Sequence, residues 1–175
     1  MNMKAEVEWC VRQANQDDAD ALAVIGAATF LESFSDFLEG KSVVAHCQHA
    51  HSPQIYRNYF SDGARAWLAE ITPGMAPVGF ALIGKPDLAC AQDGDIELKR
   101  IYSFSRFHGS GIGQALMHNA IDAASGYQRL LLGVYAGNER AIAFYRKHGF
   151  VEAGVRQFDV GGTLYNDIVL ALTLN

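Results

Sequence analysis

A glycine-rich segment between two regular elements constrains this chain more than any other part of it. Residues 106–113 read Arg-Phe-His-Gly-Ser-Gly-Ile-Gly, directly after a strand-like run at 96–103 and directly before a helix-like run at 114–124. Three glycines within five positions let the backbone approach a ligand closely, and the helix points free N–H groups and its positive dipole end at the same spot. The segment therefore predicts a binding site for an anion of pyrophosphate size.

The spacing of the glycines argues against the two best-known phosphate loops. A Walker loop needs Lys after its last glycine, but Gln114 follows Gly113. A dinucleotide-binding loop needs Gly-x-Gly-x-x-Gly and an acidic residue about twenty positions on. Here the spacing is Gly-x-Gly-x-Gly, and the downstream region reads Arg-Leu-Leu-Leu-Gly-Val from Arg129. ATP and NAD are therefore disfavoured, although taken alone the loop also fits a simple turn that joins a strand to a helix.

A second pattern follows downstream, where residues 129–135 predict an apolar strand and residues 138–149 a short helix. Asn138 is a favourable N-cap, and Gly149 is a favourable residue just beyond the C-terminus. The basic residues before Gly149 suit the negative end of the helix dipole. One face of this helix is predicted to pack, and it carries Ala141, Phe144, Tyr145 and His148.

The two patterns occur in a recognisable order. Arg106-x-x-Gly109-x-Gly111, followed by Asn-x-x-Ala-x-x-Phe-Tyr-x-x-x-Gly-Phe from Asn138, resembles the acetyl-CoA core of the GNAT superfamily of N-acetyltransferases, over residues 96–151. The resemblance implies that residues 1–175 form one domain of the α/β (α+β) class. Its mixed central sheet is expected to have about seven strands, splayed at the cofactor site and flanked by about four helices.

The resemblance also implies acetyl-CoA as co-substrate. Amides of the glycine loop would hold the pyrophosphate, and the backbone at the end of strand 96–103 would pair with the pantetheine and help to stabilise an oxyanion. Many family members carry a proline at that strand end, which reads Tyr-Ser-Phe-Ser here. The expected cofactor contacts are Ile101, Tyr102, Ser103, Arg106, His108, Gly109, Ser110, Gly111, Ile112, Gly113, Gln114, Asn138 and Phe144.

Two residues are candidates for catalysis. Tyr145 matches the family tyrosine that protonates the departing CoA thiolate, a role suited to a phenol that stays protonated at neutral pH; otherwise Tyr145 only packs. Glu97 is the candidate base, with a solvated strand carboxylate as the alternative. Strict alternation would place Glu97 on the same face as Lys99, Ile101 and Ser103, unless a β-bulge intervenes.

The acceptor is expected to bind against the first two helices. Residues 28–34 and the aromatic positions downstream resemble bacterial spermine/spermidine-type acetyltransferases, and Glu32 and Asp36 would then hold a polycation. The same residues fit the polar face of an amphipathic helix. Other small amines, a protein N-terminus or a lysine remain open as acceptors, and so does a non-catalytic acyl-CoA-binding sensor.

Composition narrows the remaining function classes. The chain has 175 residues, a net charge of −5 and scattered Lys and Arg, so a nucleic-acid partner is not expected. Its three cysteines, Cys10, Cys47 and Cys90, form no Cys-x-x-Cys pair, which favours free thiols and a cytoplasmic location. No membrane span or targeting segment is visible. A homodimer is compatible with the family resemblance.

Three histidines near Cys47 raise the question of a metal site. His46 and His49 could share a helix face, with His51 close by, but the spacing matches no standard zinc pattern. We therefore expect no metal, and histidines that face solvent or the acceptor pocket. Elsewhere the pattern predicts a strand at 9–12, a helix at 17–34, helical turns within 43–60, and strands at 67–71, 78–83, 150–160 and 163–174.

Overall fold

A computed structural model describes residues 7–174, and a seven-stranded mixed sheet forms its centre. The order across the sheet is β1-β2-β3-β4-β5-β7-β6, which confirms the predicted fold class. The described residues form five α-helices where about four were expected. The elements in chain order are β1 Trp9–Ala14, α1 Ala19–Phe34, α2 Gly40–Ala50, α3 Pro53–Ser61, β2 Arg65–Ile71, β3 Ala76–Gly84, β4 Asp95–Ser103, α4 Ile112–Ala123, β5 Arg129–Tyr135, α5 Glu139–Lys147, β6 Val151–Val160 and β7 Thr163–Thr173.

The extra helix arises where the sequence predicted one uncertain helical stretch at 43–60. Residues 40–61 form two helices, α2 and α3, with a break at Ser52. The Ser52 hydroxyl accepts from the backbone N–H of Ile55, and Pro53 occupies the first turn, where its missing N–H costs nothing. A serine cap followed by proline is a recognisable helix start, so the sequence did contain the information for this boundary.

Helices cover both faces of the sheet. On one face, α4 and α5 pack on a core that contains Leu116 and Met117 from α4 and Tyr145 from α5. On the other face, Leu22 and Ile25 of α1 pack with Tyr56 of α3. The cofactor elements predicted from the sequence thus lie on one side of the sheet, and the predicted acceptor helices lie on the other.

The sheet opens in its middle. β4 and β5 are parallel neighbours, but they pair only from Asp95 to Glu97 on β4 and from Arg129 to Leu131 on β5. Beyond this point both strands continue, β4 to Ser103 and β5 to Tyr135, without pairing to each other. The expected splay is therefore present, and it leaves backbone groups of β4 free on the side that faces β5.

A bulge changes the parity of β4. Leu82 pairs with Arg100 and Ile83 pairs with Leu98, so Lys99 is the extra residue. Strict alternation is consequently wrong here. Leu98 and Ile101 both join the α4 core, whereas Tyr102 packs with the α1 core. Glu97, which alternates with Leu98, thus lies on the same face as Tyr102 and not on the face of Ile101.

Candidate active site

The glycine loop presents a row of free amides. Gly109 and Gly111 have φ angles of +86° and +95°, which residues with a Cβ rarely adopt, and Gly111 directly precedes α4. The backbone N–H groups of Gly109, Gly111, Gly113 and Gln114 find no acceptor among the described residues. Four unpaired donors at a helix N-terminus are suited to a phosphate anion, which is the ligand that the sequence predicts for this loop.

Two arginines, Arg106 and Arg140, lie near this loop. Arg106 is exposed on a short 3₁₀ turn, with its guanidinium 4.6 Å from the centre of the Phe107 ring. Arg140, in the first turn of α5, contacts Nδ1 of His108. Burial and the charge of Arg140 lower the pKa of His108, so the imidazole is neutral at pH 7. Arg140 was not among the predicted residues, because nothing in its local sequence shows that α5 starts beside the loop.

Tyr145 lies at the gap between β4 and β5. Its side chain is 9% exposed and packs against Phe144 and Phe150, yet it also lines the cavity that enters the gap. The hydroxyl makes no hydrogen bond to any of residues 7–174 and is accessible from the cavity, so none of these residues competes for its proton. Burial, and to a lesser extent Tyr102, raise the pKa of Tyr145 above its usual value. The phenol is therefore a protonated, unengaged donor.

Glu97 is buried at the closed end of the gap. One carboxylate oxygen accepts from Lys99 Nζ and from the Asp87 backbone N–H, each at 3.0 Å, and the other lies 4.0 Å from Arg156. Burial raises the pKa of Glu97, and the charge of Lys99 opposes this shift. We place the pKa above the ordinary glutamate value, because the carboxylate is almost fully shielded from water. A carboxylate with a raised pKa is a stronger proton acceptor than an ordinary glutamate.

A single cavity of about 660 Å³ connects the two faces of the sheet through the gap. Its far wall is aromatic, with rings supplied by α1, the turn after α1, α3 and the β6–β7 hairpin. This wall consists of Phe30, Phe34, Phe37, Tyr59, Phe158 and Tyr165. A cavity of this size and character suits a small organic molecule that enters opposite the cofactor side.

A polar cluster at the floor of this cavity was missed by the sequence reasoning. Arg100 donates to the Tyr56 hydroxyl at 2.9 Å and contacts Nδ1 of His51 at 3.1 Å. Its guanidinium also lies over the rings of Tyr56 and Tyr59, 5.2 and 5.5 Å from their centres. The assumption of strict alternation hid Arg100, since the bulge at Lys99 decides which way its side chain points.

Arg156 and Asp167 form a second missed pair. They face each other across the β6–β7 hairpin and are joined by a 3.1 Å ion pair in the cavity wall. The sequence did hold a clue to this pairing. Residues 156 and 167 are equally distant from the Gly161-Gly162 turn, which fixes the hairpin register.

Most of the predicted cofactor residues line the cavity, but several predicted site residues do not. Glu32 instead binds the backbone N–H and hydroxyl of Ser105, each at 2.9 Å, and Asp36 is exposed. The Ser110 hydroxyl donates to the Phe107 carbonyl. The structure does not bring these residues to the cavity; the predicted residues outside it are Glu32, Asp36, Arg106, Ser110 and Ile112.

Asn138 is the N-cap of α5, as the sequence predicts. Its side-chain oxygen accepts from the Ala141 N–H at 3.1 Å and caps α5, which begins at Glu139. The amide group of Asn138 also borders the cavity. Gly149 follows the helix with a φ of +91°, as a C-terminal glycine should.

Metal and membrane features can be stated for the described part of the chain. Within residues 7–174, no three His, Cys, Asp or Glu side chains are grouped to hold a metal ion. His46 and His51 line the cavity, whereas His49 is exposed. Burial lowers the pKa of His46 to about 4 and that of His51 to about 2. The same residues include no helix long and apolar enough to cross a bilayer.

Comparison with known proteins gives a family match. Residues 24–150 match the model described as the acetyltransferase (GNAT) family. Proteins described as uncharacterized N-acetyltransferases of Mycobacterium bovis and Mycobacterium tuberculosis are 33% identical to this chain over 159 residues. The alignments cover 90% of this chain and 98% of those proteins.

Solved structures share the fold. An N-acetyltransferase (PaiA) of Thermoplasma acidophilum, solved with coenzyme A, has a TM-score of 0.74 and 16% identity, covering 95% of this chain and 99% of that one. A ribosomal-protein-alanine N-acetyltransferase of Brucella melitensis has a TM-score of 0.69 and 25% identity, covering 94% and 99%. At the identity of the first structure, the likeness concerns the fold alone.

Proposed function

The chain belongs to the GNAT family of acetyltransferases, and from this premise we propose that it transfers the acetyl group of acetyl-CoA to the primary amine of a small molecule by direct attack. The observation that carries the proposal is the open gap between β4 and β5. It joins the free amides of the glycine loop to a cavity with an aromatic wall, and Tyr145 borders it.

The residues on the cofactor side fit acetyl-CoA. The amides of Gly109, Gly111, Gly113 and Gln114 would bind the pyrophosphate, with Arg140 adding a cation from α5. The free edge of β4 would pair with the pantetheine amides, as an added strand does at an open sheet edge. The Phe144 ring lies next to Gly113, at ordinary van der Waals distance from where a Cβ would stand, and so borders the same loop.

Groups at the gap between β4 and β5 can carry out each proton transfer of the proposed reaction. The substrate ammonium first loses a proton, and we assign Glu97, directly or through water, as the acceptor of that proton. The amine nitrogen then forms a bond to the acetyl carbon, and a β4 backbone N–H near Ile101 stabilises the oxyanion. The carbon–sulfur bond breaks and Tyr145 protonates the thiolate. The new amide nitrogen then loses its second proton, which restores the Tyr145 phenol directly or through water, so that one proton in total is released for each acetyl group transferred.

The proposed acceptor is a small molecule, although the polyamine hypothesis gains no support from the site. Glu32 and Asp36, which were to hold the polycation, lie outside the cavity, and Glu32 is already bound to Ser105. The aromatic wall itself suits a small molecule with an apolar part.

We retain one domain for residues 1–175, and a cytoplasmic location, which the three free cysteines support.

A ligand panel tests the cofactor part of this proposal. Thermal unfolding is measured with acetyl-CoA, CoA, ATP and NAD, since a ligand at 100 times its Kd adds about 2.7 kcal/mol of stability. We expect stabilisation by acetyl-CoA and CoA; stabilisation by ATP or NAD alone would refute the assignment. Thiol release that accelerates with added amines then separates an acetyltransferase from an acyl-CoA-binding sensor, which would bind acetyl-CoA and release no thiol.

A further inference from the structure

The charge of Arg100, on the acceptor side of the cavity, is not balanced by an ion pair among the described residues. Lys99 is paired with Glu97 at 3.0 Å and with Asp87 at 3.2 Å, and Arg156 is paired with Asp167 at 3.1 Å. Arg100 has no carboxylate within 4.0 Å among residues 7–174, and it is only partly exposed. A partly buried guanidinium that lacks a counter-ion among those residues is placed to bind an anion from outside the chain.

The neighbours of Arg100 cannot supply that anion. His51 is 4% exposed and Tyr56 is fully buried, and burial holds both in their neutral forms at pH 7, lowering the pKa of His51 and raising that of Tyr56 to about 12. Only one nitrogen of the guanidinium bonds to them. Because a guanidinium carries five N–H donors, Nε and the second terminal nitrogen keep their donors for a ligand.

The cluster itself is built to present donors to the cavity. A guanidinium only donates, so Nδ1 of His51 accepts and the imidazole proton resides on Nε2. No buried side-chain nitrogen or oxygen among the described residues lacks a partner, so Nε2, which has none among them, is open to the cavity. Arg100 therefore offers the paired N–H donors of Nε and the second terminal nitrogen, a geometry suited to a carboxylate, and His51 adds a further donor to the same cavity.

We propose that Arg100 binds a carboxylate of the acceptor, which makes the acceptor a free amino acid with an apolar or aromatic side chain. This rests on the proposed function and names its substrate class. Arg100 precedes Ile101, the strand position where β4 borders the gap, so an amine close to the carboxylate can reach the acetyl carbon. The aromatic wall receives the side chain.

The test compares acceptors that differ only at the carboxylate: L-phenylalanine, L-phenylalaninamide and phenethylamine, and the same set built on L-methionine. We expect kcat/KM, from acetyl-CoA-dependent thiol release, to be at least tenfold higher for the amino acid than for its amide. The ammonium group of the amide is more acidic than that of the amino acid, so a larger fraction of the amide is free amine at neutral pH. Without a carboxylate site, the amide would therefore be the better acceptor. Equal use of the three compounds, or preference for the amide or amine, would overturn the proposal.

Variants then connect the preference to Arg100. Arg100→Gln should bring the acid-to-amide ratio close to one, and Arg100→Lys, which keeps the charge, should retain part of it. Arg57→Gln is the matched control, since Arg57 lies on α3 next to Tyr56 but is exposed and paired with Asp20 at 3.2 Å. A merely structural role for Arg100 would lower all rates and leave the ratio unchanged, which would also contradict the proposal.

A binding measurement separates this inference from the proposed function. Thermal shifts are recorded for N-acetyl-L-phenylalanine and its amide with wild type and Arg100→Gln. Stabilisation of the wild type by the acid alone, lost in the variant, supports the carboxylate site even if no amine accelerates thiol release. Acetyl transfer without any carboxylate preference keeps the proposed function and rejects the inference, and so does the absence of any shift with the acid.

Discussion

The replacement of Tyr145 by phenylalanine is the sharpest test of the mechanism, because it removes one atom whose surroundings are known. The hydroxyl has no hydrogen-bond partner in the described part of the chain, so no other group is left unpaired when it is removed. The ring keeps its contacts with Phe144 and Phe150. We therefore expect the free energy of unfolding to change by less than about 0.5 kcal/mol.

The effect on turnover follows from the hydrogen bond that the phenol makes to the leaving thiolate. A hydrogen bond to a charged group contributes about 1.5–3 kcal/mol, and about 1.4 kcal/mol corresponds to a factor of ten in rate. Tyr145→Phe should thus lower kcat roughly 10- to 100-fold and leave acetyl-CoA affinity unchanged. Burial raises the pKa of Tyr145 above its usual value of 10.0, so the loss should be constant from about pH 7 to pH 9.

The assay is steady-state thiol release at several pH values, with thermal unfolding of each protein as a check on folding. Tyr127→Phe is the control, since Tyr127 is 41% exposed, lies in the loop after α4 and does not line the cavity. Unchanged turnover in Tyr145→Phe would remove the residue from the mechanism. A loss of acetyl-CoA affinity with unchanged kcat would assign it to cofactor binding instead.

Three further variants probe the loop, the base and the scaffold. Gly111→Ala places a Cβ at a φ of +95° and 3.4 Å from Trp9, so stability should fall by about 1–2 kcal/mol and acetyl-CoA should bind more weakly, by thermal shift. Glu97→Gln should abolish the acidic limb of the pH profile of kcat/KM. In the wild type the midpoint of that limb should lie above the ordinary glutamate pKa of 4.5, because burial raises the pKa of Glu97. A pH profile that the substitution leaves unaltered rejects Glu97 as base. Asp95→Asn breaks a buried pair with Arg129 at 2.6 Å and should cost about 3 kcal/mol in urea unfolding at pH 7. Since Arg129 holds the pKa of Asp95 below 3.8, this stability is present above about pH 4 and lost as the pH falls through the lowered pKa, so wild type and variant should converge in acid.

Local patterns were enough to predict the cofactor half of the molecule. The glycines that need positive φ, the Asn138 cap and the terminal glycine of α5 are properties of a few neighbouring residues, and each appears in the structure where the sequence indicates. The order of strand, loop, helix, strand and helix then follows, because a parallel crossover leaves the chain few alternatives. The sequence therefore determined the fold class and the family, and it located the loop whose backbone amides are free.

The acceptor half depended on long-range geometry that local patterns do not contain. The bulge at Lys99 comes from the pairing of β4 with β3, and it places Arg100 on the face opposite Leu98. There Arg100 meets His51 and Tyr56, which lie more than forty residues away along the chain. From its charge, Glu32 was expected to bind a cation. In the folded protein its carboxylate accepts a hydrogen bond from the backbone N–H of Ser105 instead. Tertiary structure decided which charges are already paired within the protein and which one remains for a ligand, because pairing depends on distances between elements remote in sequence.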